Sequence, residues 1–268
     1  MSITIQVASK QTLDETLAIV ENESYGLPAL MQSVEDTTLD DTNSTDLSPI
    51  TDVLDLFIEN LTGKHISENE FIEMVKCGMR PRVGTIVVLN NTETSTNLWV
   101  VADRDHDGVC GTVDLIPLFS GITTKAFDDS NSPYPTSDIR TWLITTFKSG
   151  FSTDIQNVLK PMEVYTNTST GTTTSDKVKL LSAFEVQLAT PETEGLNGEG
   201  TPYYELFSGN KSRIRFTPTD ETNVPRAWWL RTPSSTDTNS CIVNTDGTLS
   251  NIDSSNSDSV LVLPCIRI

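Results

Sequence analysis

From Arg82 onward the apolar residues come in short runs bounded by Asn, Asp, Gly or Pro: Gly84–Leu89, Leu98–Ala102 and Val109–Ile116, then Lys177–Leu181, Trp228–Arg231, Ile242–Asn244, Thr248–Asn251 and Val260–Ile268. Runs of this length, rich in Val, Ile and Trp, predict strands. Two segments break the rhythm. Ile139, Trp142, Leu143 and Phe147 share one helical face behind Asp138, which predicts a helix packed on the sheet, and a second helix runs from Ser152 to Leu159 and stops at Pro161.

Before residue 82 the period is helical. Ser9 caps a helix with Leu13, Leu17 and Val20 on one face. Pro49 opens another, carrying Ile50, Val53, Leu54, Phe57, Ile58 and Leu61, and Gly63 ends it. Ser67 and Glu70 form a capping box ahead of Phe71, Met74 and Val75. Between these lies Val34–Ser48, a polar stretch whose carboxylates repel one another and which reads as a linker. The division that follows is an acidic, partly helical attachment or oligomerisation region over residues 1–80, with its linker at 34–48, and one α+β domain over residues 81–268. The uncovered apolar stripe at residues 11–20 calls for homo-oligomers or a socket on a partner.

Charge narrows the partners. The chain of 268 residues carries a formal charge of −19, and residues 1–80 hold fifteen acidic side chains against four basic ones. Such a surface repels phosphate backbones and anionic lipid, so neither nucleic acid nor membrane is an expected partner. The start, Met1–Gln6, lacks the features of a signal peptide, so the expectation is a protein made without export. Cys77, Cys110, Cys241 and Cys265 show no zinc or disulfide spacing and read as free thiols.

Two stretches carry candidate chemistry. Asp103, Asp105, Asp107, Gly108 and Asp114 occupy the first, third, fifth, sixth and twelfth positions of a calcium loop, where alternate oxygens, a glycine turn and a closing carboxylate would surround Ca2+. Its flanks are strands rather than helices, so the competing reading is a β-hairpin turning at Asp107-Gly108, with the aspartates as solvated decoration. The adjacent Trp228 and Trp229 point to opposite faces of a strand. One ring then belongs to the core, and the other either packs under the following loop or stacks on a sugar, together with Arg231, Asp237 and Asn239. Signals for catalysis are missing. His65 and His106 lie far apart, Glu192, Glu194 and Glu199 fall in a loop, and no nucleophile, phosphate-loop or metalloprotease motif accompanies them.

Leu98–Asp103, Ser137–Leu143, Asp176–Ser182, Ala227–Thr232 and Val260–Ile268 together resemble the C-type-lectin-like domains at the C-termini of tail-fibre and other virion proteins of phages of Gram-positive bacteria. The opening Val7–Asp14 is similar to the start of tail proteins of that group. The resemblance implies mixed short-stranded sheets with two packed helices, following a small helical attachment region. It also implies a non-enzymatic virion protein of the tail-fibre or receptor-binding type, trimeric if a fibre. Its N-terminal region would bind other virion proteins, and its lectin-like domain a host-surface glycan or protein. The alternative is a purely structural virion component, such as a decoration, neck or baseplate protein, whose lectin-like domain binds other subunits. Formylglycine-generating enzymes share this general fold, but they need a closely placed cysteine pair, for which Cys241 and Cys265 are the candidates.

Overall fold

The computed structural model describes residues 65–94, 97–118, 123–167, 171–189, 199, 203–216, 224–234, 239–255 and 259–268. The helices expected at Ser9 and Pro49, the linker, and Glu192, Glu194 and Asp237 lie outside the described residues.

The chain forms an α+β body in which antiparallel β-structure dominates. Helix α1 (Glu68–Lys76) starts at the expected capping box: Ser67 N–H donates to the Glu70 carboxylate (3.0 Å) and Glu70 N–H to Ser67 Oγ (3.4 Å). Two meandering strands and their partner follow, β1 (Ile86–Val88), β2 (Leu98–Arg104) and β3 (Val113–Pro117). Helix α2 (Asp138–Trp142), N-capped by Ser137, runs on into a π-helical turn over Leu143–Phe147, and α3 (Thr153–Val158) is capped by Ser152. The remaining strands are β4 (Met162–Thr166), β5 (Thr172–Asp176), β6 (Val178–Leu180), β7 (Arg215–Phe216), β8 (Pro225–Pro233), β9 (Asn239–Val243), β10 (Leu249–Asp253), β11 (Val260–Leu261) and β12 (Pro264–Arg267).

The first sheet has the order β1-β2-β3-β12-β6, with every neighbouring pair antiparallel. The second is β10-β9-β8-β11, with β8 and β11 parallel and β7 added to β8. A separate hairpin joins β4 to β5. One apolar core runs between these layers, from Phe71 of α1 through Trp99, Leu143 and Phe147 to Trp228 and Ile266. Helix α1, grouped by its sequence with the attachment region, therefore packs into the β body itself, and Ile66 bridges Val87 of β1. Among the described residues no helix is long and apolar enough to cross a membrane.

Several details depart from expectation. The β4–β5 hairpin lies in a segment for which the apolar runs predict no strand, and it forms because Met162, Val164 and Thr166 alternate inward. Trp142 lies at the margin of the core, with the Lys125 ammonium 5.5 Å above its ring. The β2–β3 connection is longer than a two-residue turn: Asp105 and Asp107 both take left-handed backbone conformations (φ 55° and 59°) around a short 3-10 turn at His106–Gly108. Aspartate tolerates that region better than most residues.

Candidate functional site

The aspartates of this stretch come close in sequence, and each is engaged by fixed donors, two of them by the same arginine. Asp103 accepts from His106 Nδ1 (2.7 Å) and from the Arg104 backbone N–H (2.7 Å). Asp105 accepts from the Arg80 guanidinium and from the backbone N–H groups of Gly111 (2.6 Å) and Thr112 (3.3 Å), and these bonds, led by Arg80, hold its carboxyl below the usual range. Asp107 accepts from Arg267 (2.9 Å). Asp114 is buried and takes two bonds from the same guanidinium (2.6 and 2.7 Å) and one from Tyr204 Oη (2.6 Å). No group of three or more His, Cys, Asp or Glu converges as metal ligands among the described residues. Arg267 delivers a fixed cation between Asp107 and Asp114, so a calcium ion at this candidate loop would have to displace it.

The two adjacent tryptophans both pack into the body. Strand β8 is central in its sheet and covered on both faces, so neither ring reaches solvent. Trp228 Nε1 donates to the Arg213 carbonyl (2.8 Å), with its ring stacked on Phe207. Trp229 Nε1 donates to the Lys125 carbonyl (2.7 Å), with Phe127 tilted against it. Arg231 is 1% exposed and donates to both oxygens of Glu185 and to the carbonyls of Leu180 (2.9 Å), Glu199 (3.0 Å) and Tyr165 (3.3 Å). Asn239 is bonded to the Asn251 side chain (2.8 Å) at the far end of the β9–β10 ladder. Trp229 and Arg231 are therefore framework, and among the described residues nothing brings them to one surface with Asn239.

These groups belong to a buried polar network that sequence reading missed. Lys179 donates to Glu185 (2.7 Å) and lies 5.5 Å from the centroid of the Tyr204 ring, which stacks on His106 at 3.9 Å. Burial alone would raise the Glu185 carboxyl, but the charges of Arg231 and Lys179 outweigh it and hold that carboxyl far below the usual range. Glu199, placed by its sequence in a solvated loop, is buried instead. It accepts from Asn167 N–H (2.7 Å) and from Thr232 Oγ1, and burial leaves its carboxyl raised. The two inner cysteines have different partners: Cys241 Sγ faces the Pro233 carbonyl (3.5 Å) and Cys265 Sγ faces Tyr204 Oη (3.6 Å). Burial pushes the Cys241 thiol up to about 12 and that of Cys265 higher still, so both stay protonated at neutral pH. Charges matched in fixed pairs and protonated thiols equip this network to hold strands in register.

The accessible chemistry lies elsewhere. A wide-mouthed recess of about 630 Å³ is lined by residues 90–92 and 97 beside the β1–β2 turn and by Ser149–Ser152 ahead of α3. A second, apolar groove of about 410 Å³ runs along α1, lined by Ile66, Met74, Cys77 and Met79, with Met79 52% exposed. In sequence the recess shows only as two polar runs, Asn90-Asn91-Thr92 and Ser149-Gly150, which nothing but the fold brings together.

The fold and its network define an α+β domain of mostly antiparallel sheets, braced by internal ion pairs. The chain belongs to the family described as a domain of unknown function (DUF6273), whose model matches residues 118–268. No curated protein and no solved structure matches the chain. The matched segment begins at the end of β3, although β3 pairs with β12 inside it, so the structural unit extends N-terminal to the family match.

Proposed function

We propose that the chain is a non-enzymatic virion protein of the tail-fibre or receptor-binding type, with a C-type-lectin-like body that contacts a host-surface glycan. Its N-terminal region attaches it, as a homo-oligomer, to other virion proteins. The observation that carries this reading is the way the blocks that bear the lectin-like resemblance, far apart in the chain, are joined by hydrogen bonds. Arg140, of the Ser137–Leu143 block, makes a two-bond pair with Asp176 (2.7 and 2.8 Å). The Asp176–Ser182 block is tied to the tryptophan block by Arg231 on Leu180, and to the final block by β6 pairing with β12. A body fixed this firmly suits a rigid scaffold that presents its loops for recognition.

The test is saturable binding of the purified full chain to Gram-positive cells, with competition against phage adsorption. Binding and competition are the expected outcomes, and a chain that does neither refutes adhesion. One observation favours the second reading, a purely structural virion component: the half-exposed Met79 and its apolar groove beside His65 offer a surface for another subunit. Under that reading the full chain forms a stoichiometric complex with virion subunits and leaves cells bare.

A further inference from the structure

We propose that the recess formed by Asn90, Asn91, Thr92, Asn97, Ser149 and Ser152 binds an uncharged oligosaccharide. This rests on the reading that the body contacts a glycan, and it moves the contact away from the tryptophan strand to the β1–β2 turn of the first sheet.

Composition is the first argument. The chain has 37 acidic residues, yet none of the residues lining this recess is charged. Asparagine, threonine and serine supply both donors and acceptors without a formal charge, matching a ligand that presents hydroxyl groups. An anionic ligand finds no cation to pair with, and a metal ion finds no carboxylate in the lining. The size, about 630 Å³, lies within the range of roughly 300–1,000 Å³ typical of small-ligand sites.

Preorganisation is the second. The Asn91 side chain is locked, with Nδ2 donating to the Phe147 carbonyl (2.9 Å) and Oδ1 accepting from Glu93 N–H (2.8 Å). Thr92 N–H donates to the Gly150 carbonyl (3.1 Å), and a side chain at Gly150 would collide with the Asn91 amide, so the floor admits only glycine. From behind, the Glu68 carboxylate holds the Asn90 backbone N–H (3.0 Å) and Ser152 Oγ (2.5 Å), which occupies both its oxygens. On the rim, the exposed side-chain amides of Asn90 and Asn97 make no hydrogen bond to another described residue. A rigid floor with available amides at its edge is how a site fixes a sugar without a large ordering cost.

The experiment probes the full chain and two variants, Asn90→Ala/Asn97→Ala and Asn239→Ala, on an array of neutral and anionic oligosaccharides, alongside their thermal midpoints and their adhesion to host cells. The expected result is retention of neutral members, reduced at least tenfold in the double variant at an unchanged midpoint, with Asn239→Ala binding as the parent does. Neutral-glycan binding that survives the double substitution overturns the inference and leaves glycan adhesion standing. Retention of anionic members alone does the same. A parent chain that adheres to cells but binds no array member also overturns it, whereas a chain that does neither removes the broader reading as well.

Discussion

Arg231→Met provides the sharpest test of the internal ion network. The guanidinium donates five hydrogen bonds, two to Glu185 and one each to the carbonyls of Leu180, Glu199 and Tyr165. Methionine keeps most of the volume and removes every donor. Stripping one partner from a buried ion pair costs about 3–5 kcal/mol, because the other charge stays in place, and each buried carbonyl left without a donor adds up to about 1–3 kcal/mol before relaxation. Lys179 remains on Glu185 and offsets part of this loss. We expect a net destabilisation of about 4 kcal/mol, a thousandfold change in the unfolding equilibrium at about 1.4 kcal/mol per decade. With a urea slope of about 2–3 kcal/mol per molar, the midpoint should fall by about 1.3–2 M. The assay is equilibrium unfolding followed by tryptophan fluorescence, which Trp228 and Trp229 report from the neighbouring positions of β8. Replacing all three charges, as Lys179→Met/Glu185→Leu/Arg231→Met, should recover most of the loss, since a buried pair is worth little against well-packed apolar side chains. An Arg231→Met protein within about 1 kcal/mol of the parent would refute the reasoning, because the guanidinium would then not be the group that neutralises Glu185.

Further outcomes can be checked on the same protein. The folded-state carboxyl of Glu185 lies below its unfolded value, so its contribution is complete above the ordinary glutamate pKa of about 4.3 and fades as pH falls below it; the parent should lose stability on acidification, and Arg231→Met should lose less. Glu199 has the opposite sign: its raised carboxyl costs stability above the ordinary range, so Glu199→Gln should raise the midpoint at pH 8 relative to pH 4, as thermal scans would show. Gly247→Ala should cost about 2–3 kcal/mol in urea unfolding, since the residue sits at φ 81° and its new Cβ would strike the Asn210 carbonyl. Calcium at a hundred times a true dissociation constant would add about 2.7 kcal/mol of stability; neither calcium nor a chelator should move the midpoint, and a shift of that size would restore the calcium loop.

Strands with a strong local signature were legible. Leu98–Ala102 and Trp228–Arg231 became β2 and β8, and Ser67, Ser137 and Ser152 cap their helices as their neighbours suggest. The β4–β5 hairpin was hidden because Thr172–Thr174 put threonine on both faces of β5, so that strand lacked the apolar contrast that marks one. Burial of both tryptophans was hidden for another reason: alternation assigns faces within one strand and says nothing about what lies over the second face, here Phe127 and the Lys125 backbone. What the aspartate spacing could not show is the cation that faces it, contributed by Arg267, 153 residues beyond Asp114 and invisible to any local pattern. The Asn90–Ser149 recess was out of reach on the same ground, as its two walls are brought together by the Thr92–Gly150 and Asn91–Phe147 bonds, which no local pattern shows.

The place of β12 in the first sheet sets a timetable for synthesis. Its partner β3 ends at Pro117, while β12 starts at Pro264. Translation at about 5–20 residues per second therefore leaves the apolar edge Val113–Pro117 without its neighbour for roughly 7–30 s. During that wait nascent chains on one polysome present the same open ladder to each other, and a chaperone or slow codons after β3 would decide how many escape mutual pairing.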